Sequence, residues 1–268
     1  MNNIIVIPIY KPSPDDAERI SLMQCVKILG GHKMCLVCPQ KLDVTAYTEQ
    51  MSVDVHVERF DEKYFQGISG YNELMKGRFF YNRFKSYRYM LIYQLDAWVF
   101  EDQLDYWCRK GYDYIGAPWF QDWGDHESGY ELFCVGNGGF SLRKVSKFLK
   151  ITDSSQKVYS FWQIMRSHRK EQGRIYRSWR EYHSISNNME VFMMQKKERW
   201  EDQFFCCDLK GTRLELRTPD CQEASLFSIE VSPQYIFNEI NKGRLPFGCH
   251  AWRRYQHEEF WSKIIPKS

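Results

Sequence analysis

Apolar positions along the chain fall into two rhythms. "NIIVIPIY" (3–10) is a continuous apolar run rich in β-branched residues, which predicts a strand buried on both faces. "SPDDAERISLMQCVKILGG" (13–31) then switches to helical spacing, with Ala17, Ile20, Met23, Val26 and Leu29 as its stripe. Ser13 is expected to cap this helix, Pro14 to take its first position, and Asp15 and Asp16 to face the positive end of its dipole. Gly30 and Gly31 would end it. "KMCLVCP" predicts a second strand, "VTAYTEQM" a short helix and "SVDVHVERF" an alternating third strand. Strand and helix in alternation predict an α/β layer around a parallel sheet, in which ligands gather at the carboxyl ends of the strands.

The alternation continues. "YNELMKGRFFYNRFKSYRY" predicts helix leading into the strand "MLIYQLD"; "DQLDYWCRKG" predicts helix and "YDYIGAPW" a strand ending at Pro118. "FQDWGDHESGYELF" has the composition of a loop, and "VGNGGFSLRKVSKFL" predicts a glycine turn passing into a helix capped by Ser141. Residues 154–195 are polar and helical in pattern, an insertion or lid within a single domain spanning 1–268. Inside it, "RSHRKEQGRIYRSWR" carries six Lys or Arg residues against one acid. That is either a solvated helix face or a contact for a phosphorylated acceptor or an anionic membrane surface.

One acid interrupts an otherwise apolar stretch, "LIYQLDAWVF" (91–100). An ionised Asp96 taken out of water would cost several kcal/mol, on the order of 5, unless compensated. Either a cation sits beside it or the strand ends there in a polar cleft. Gln94 and Asp96, two residues apart, would point at one ligand, and carboxylate oxygen suits Mg²⁺ or Mn²⁺. Three further motifs could carry chemistry. "GNGG" (136–139) permits close backbone approach, and Asn137 brings both donor and acceptor, although the pattern is neither a P-loop nor GxGxxG. Glu201 and Asp202 in "WEDQFFC" either complement a helix dipole or supply a base with a raised pKa. His250 in "PFGCHAW" is a structural histidine or an extra metal ligand beside a carboxylate.

Composition narrows the classes. A net charge of +3 gives no argument for nucleic acid but suits anionic ligands such as nucleoside diphosphates. Aromatic residues make up 16% of the chain, enough to line a sugar cleft as well as fill a core. Nine cysteines at irregular spacing, without a secretory pattern before them, predict reduced thiols in a cytoplasmic protein. The CxxC of Cys35 and Cys38 lies in an apolar run and is expected to be structural. No apolar run approaches the ~20 residues of a membrane span.

Taken together, "YQLDAWVF", "YDYIGAPW", "GNGGFSLR", "EDQFF" and "PFGCHAW" resemble an uncharacterised bacterial family (a domain of unknown function) similar to GT-A fold nucleotide-sugar glycosyltransferases. The resemblance implies a GT-A-like α/β domain with a central, mostly parallel sheet flanked by helices and a helical insertion. It implies transfer from a nucleotide-sugar, UDP-linked, to a saccharide or lipid-linked saccharide acceptor in surface polysaccharide synthesis, with inversion. By the same resemblance, Asp96 matches the last acid of the Asp-x-Asp motif, with Gln94 departing from its first position. His250 matches a C-terminal metal ligand, so that Mn²⁺ or Mg²⁺ would lie between the two. Asp202, or Glu201, matches the catalytic base; Tyr10 would pack the nucleotide, and Asn137, Gly138 and Gly139 would line the donor sugar. A metal-dependent phosphohydrolase and a non-catalytic carbohydrate-binding protein are the alternatives.

Overall fold

A computed structural model describes residues 2–121 and 129–266. Part of the loop expected over 120–133 therefore lies outside the described residues. Four strands pair in parallel in the order β3 (Val55–Phe60), β2 (Lys33–Pro39), β1 (Asn3–Pro8), β4 (Tyr89–Tyr93). Two antiparallel strands extend this sheet, β9 (Phe140–Lys144) against β4 and β6 (Tyr114–Ile115) against β9. The result is a mixed α/β fold around a six-stranded, mostly parallel sheet.

The continuous apolar runs have a direct physical reason: each strand buries both faces. Ile4, Val6, Cys35, Val37, Met90 and Ile92 join one core layer, whereas Ile5, Ile7, Met34, Leu36, Cys38 and Leu91 join the other. Cys35 and Cys38 thus point to opposite faces, and both thiols are buried and free. Helix α1 (Asp16–Leu29) covers the second face with Leu22, Cys25, Val26 and Leu29. Each fully buried aliphatic side chain there contributes about 1.5–3 kcal/mol. Helix α2 (Gly67–Lys76) and the helix Val145–Ile151 cover the first face.

Four sequence expectations need correction. Asp15, not Ser13, caps α1: its carboxylate accepts from Glu18 N while Glu18 accepts from Asp15 N, a reciprocal capping box. On the same helix Met23 is exposed, and Leu22 and Cys25 take the inward positions. "FSLRK" is a strand rather than a helix start, because five residues of β9 register against β4 and Ser141 is buried within it. Pro118, finally, does not end a strand but opens β7 (Pro118–Phe120), which pairs with β8 (Leu132–Val135).

A small sheet lies beside the large one: β10 (Ser228–Ile229), β11 (Gly248–Cys249) and β5 (Trp98–Val99). Residues 154–195 hold α3 (Phe161–Ser167), α4 (Arg174–His183) and the helix Met189–Gln195. Among the described residues, no helix is long and apolar enough to cross a membrane.

Candidate active site

Two sheets set one corner of the site. Strand β4 stops at Tyr93, and the chain turns at once, with Ala97 N donating to Gln94 O at 2.9 Å. This leaves Asp96 just ahead of β5. Because β5 runs antiparallel to β11 (Trp98 opposite Cys249), and β10 parallels β11 (Ile229 opposite Cys249), the residues flanking the three strands meet at one edge. They are Asp96, His250 and Glu230. His250 Nε2 lies 3.1 Å from Asp96 Oδ1 and 3.2 Å from Gln94 Oε1, and Nδ1 lies 3.0 Å from Glu230 Oε1. Asn137 Nδ2 approaches the same Nδ1 at 2.9 Å.

Asp96 answers the question its sequence context raises, though with a correction. Its side chain is 52% exposed, so it is not a buried charge; it stands in a polar cleft where the strand ends. Burial on the protein side pushes its carboxyl up, but the charge and hydrogen bond of His250 outweigh that and lower it. The ring responds in kind. Burial works against the imidazolium, yet Asp96 first and then Glu230 raise His250 to about 10.

The second corner is built on the glycine turn. Asn137 adopts a left-handed φ of 68°, and its Oδ1 accepts from the backbone N–H groups of Gly139 (3.0 Å) and Phe140 (3.2 Å). A Cβ on Gly138 would run into Glu201 Oε1, and one on Gly139 into His250 Nε2. The glycines are therefore required by the side chains packed on them. Gly138 N also donates to Asp202 Oδ2 at 3.1 Å.

Glu201 and Asp202 are adjacent but play different parts. Both oxygens of Glu201 are taken by Arg143, at 2.7 and 3.0 Å, and both partners are buried. Arg143 in turn donates to Tyr81 Oη (3.1 Å) and, through Nε, to Ser141 Oγ (3.0 Å), and Glu201 N donates to Asn72 Oδ1 (2.7 Å). The expectation that Glu201 could serve as the base is thus corrected: its carboxylate is committed to a buried ion pair. Asp202 accepts backbone N–H groups instead, from Gly138 on Oδ2 (3.1 Å) and from Gln203 on Oδ1 (2.8 Å), and burial, reinforced by the Glu201 charge, pushes it up to about 7.

All nine residues singled out from the sequence line one cavity of about 630 Å³: Tyr10, Gln94, Asp96, Asn137, Gly138, Gly139, Glu201, Asp202 and His250. Tyr10 stands at its mouth, 63% exposed, just beyond β1. Residues 54–250 match the family model described as a protein of unknown function, DUF5672. The chain belongs to this family. No curated protein matches it. Among solved structures, the DUF5672 chain is similar to mouse xyloside xylosyltransferase 1 in its apo form, at 11% identity and a TM-score of 0.48 over 92% of this chain and 96% of that one. It is also similar to the galactosyltransferase LgtC in complex with donor and acceptor sugar analogues (9%, 0.45, 92% and 86%). A third likeness is to core-mannan synthase A of Aspergillus fumigatus in its Mn/GDP form (9%, 0.41, 75% and 71%).

The donors of the DUF5672 site fit a hard divalent cation that is shared with a ligand. Two ligands on adjacent corners of an octahedron with bonds of about 2.1 Å lie about 3 Å apart, close to the 3.1 Å between Asp96 Oδ1 and His250 Nε2. Glu230 on Nδ1 is the partner that orients a metal-binding imidazole. Among the described residues no group of three His, Cys, Asp or Glu side chains forms a complete ligand set. Completion would therefore come from ligand oxygens and water, as in sites built on one or two carboxylates plus phosphates.

Sequence reasoning missed Glu230 and Arg143. Arg143 had the signal that revealed Asp96, a charge within an apolar stretch ("GFSLR"), whereas Glu230 follows only the short run "FSI". Lys11 and Arg254 also line the cavity and add positive charge, although Lys11 is tied to Glu18 (2.7 Å) and Asp15 (3.1 Å).

Proposed function

We propose that the cavity binds a nucleotide-sugar and that the protein is a GT-A-like glycosyltransferase acting on a saccharide or lipid-linked saccharide acceptor. The observation that carries this reading is the meeting of Asp96, His250 and Asp202 in one cavity at the carboxyl end of a parallel sheet. Asp96 and His250 would hold Mn²⁺ or Mg²⁺, the ion taking the place of the Nε2 proton that otherwise pairs the ring with Asp96. Such an ion, when bound, offsets the negative charge developing on the leaving diphosphate. Glu230 orients the His250 ring, and Gln94 Oε1 faces the same Nε2. Asp202 Oδ takes the proton of the acceptor hydroxyl as that oxygen attacks; a base with a pKa of about 7 is matched to this task. Asn137, Gly138 and Gly139 lie between these two corners, where the donor sugar would sit, and Tyr10 offers its ring to the base. The uridine base, inversion and a place in bacterial surface polysaccharide synthesis are supported by the sequence resemblance.

A phosphohydrolase would draw several acids around its ion. The nearest in sequence are engaged elsewhere: Glu101 accepts from Gln103 Nε2 (3.1 Å), Asp102 pairs with His32 (2.9 Å) and Asp105 accepts from Asn3 (2.8 Å). Calorimetric titration of nucleoside diphosphates and their sugars, with and without Mn²⁺, tests the assignment. Mn²⁺-dependent binding to one nucleotide, lost in Asp96→Ala, is the expected outcome. A well-folded protein that binds none of them would overturn the donor site.

A further inference from the structure

Helix α4 shows its apolar face to water. Ile175, Tyr176 and Trp179 lie at positions i, i+1 and i+4 and are 65%, 64% and 54% exposed, whereas Ser178 is fully buried and Tyr182, one turn further on, is half-buried. The helix therefore docks on the protein by a narrow side carrying Ser178 and Tyr182, and leaves most of its apolar surface in water. With Phe161 of α3, these residues frame an open groove of about 540 Å³. Trp162, also on α3, is 69% exposed. Around the apolar face stand Arg174, Arg177 and Arg180, with Arg180 over the Tyr176 ring at 5.8 Å. Arg166, Arg169 and Lys170 precede them.

We propose that the α3–α4 pair is an interfacial anchor that seats on an anionic lipid surface. Two independent features of the surface fit such a lipid face. Exposed Trp, Tyr and Ile side chains at helical spacing are those that enter the headgroup boundary. The surrounding cluster of six Lys and Arg residues against one acid over 166–180 supplies the charge that anionic headgroups attract, and that a saccharide or neutral protein surface would not select. The sequence showed only the charge; that the aromatic face is unpartnered is visible only in the fold. The anchor does not depend on the donor-site assignment.

Co-sedimentation of the full chain with vesicles of phosphatidylcholine, alone or mixed with phosphatidylglycerol, provides the test. Binding is expected only to the mixed vesicles, with a blue shift of tryptophan fluorescence and weakening by salt. Replacing Arg174, Arg177 and Arg180 by Gln should reduce the partition coefficient about a hundredfold. The pair Ile175→Ser and Trp179→Ser should abolish the blue shift while leaving the circular dichroism spectrum unchanged. No binding of the folded wild type to mixed vesicles would overturn the proposal. So would dimerisation in solution that these serine substitutions abolish, which would make the face a contact between two copies.

Discussion

Asp96 and Asp202 face the same cavity, yet their surroundings drive them in opposite directions. Asp96 stands half exposed with a cationic ring beside it, and its carboxyl is held below the ordinary value. Asp202 is more enclosed, with the Glu201 carboxylate next to it in the chain, and is raised to about 7. Arg143, whose charge also bears on that second corner, is spent on Glu201. One acid is thus kept ionised and able to hold positive charge, and the other is poised to exchange a proton. The difference comes from which partner each was given, not from residue type.

The sharpest way to break this contrast is Asp202→Asn. It keeps the acceptor for Gly138 N but removes the base, so transfer should fall about a thousandfold while nucleotide affinity holds. Wild-type turnover should climb as pH rises through about 7, and the variant should lose that limb. Stability moves the other way. With a folded pKa raised from 3.8 to about 7, the native state holds more protons than the unfolded chain across that window. Stability therefore declines as pH rises through it and levels off above. Thermal unfolding of Asp202→Asn at pH 8 should show a gain over wild type, and equal or lower stability would contradict the raised pKa.

Next in size is Arg143→Met, which leaves Glu201 buried without its partner. Breaking such a pair costs about 3 kcal/mol or more, readable as a lower urea midpoint. Adding Glu201→Leu should restore much of that stability, since the uncompensated charge is gone. If the double variant were no better than the single one, the pair would not be the source of the loss.

Glu230→Gln is expected to have the smallest effect. The ring would keep Asp96 but lose the carboxylate on Nδ1, weakening Mn²⁺-dependent nucleotide binding by about tenfold, within the range for partners that orient a ligand. Calorimetry reads this directly, and a loss as complete as that of Asp96→Ala would make Glu230 a ligand instead.

Legibility along the chain followed how local the physics was. Strands β1, β2 and β4 could be read because each buries both faces, which forces an unbroken apolar run. Strand β9 could not, because Ser141 and Arg143 are polar positions inside a buried strand, and the partner that balances the Arg143 charge is distant in sequence. Arg143 meets Glu201 across 58 residues of sequence. Glu230 escaped notice because the strand before it is two residues long, too short for any periodicity. The nine candidate positions could be named from motifs, yet the division of labour between Glu201 and Asp202 could not.

By itself, then, the sequence determined the α/β alternation, the parallel core of the sheet and the glycine turn, since burial pattern and backbone freedom are properties of neighbouring residues. Tertiary structure decided which charges meet. The antiparallel register of β5 with β11 carries His250 to Asp96, 154 positions earlier in the chain, and Arg143 inside β9 claims one of two adjacent acids and leaves the other to backbone N–H groups. An electrostatic environment depends on distances through space, and those exist only once the sheets have closed.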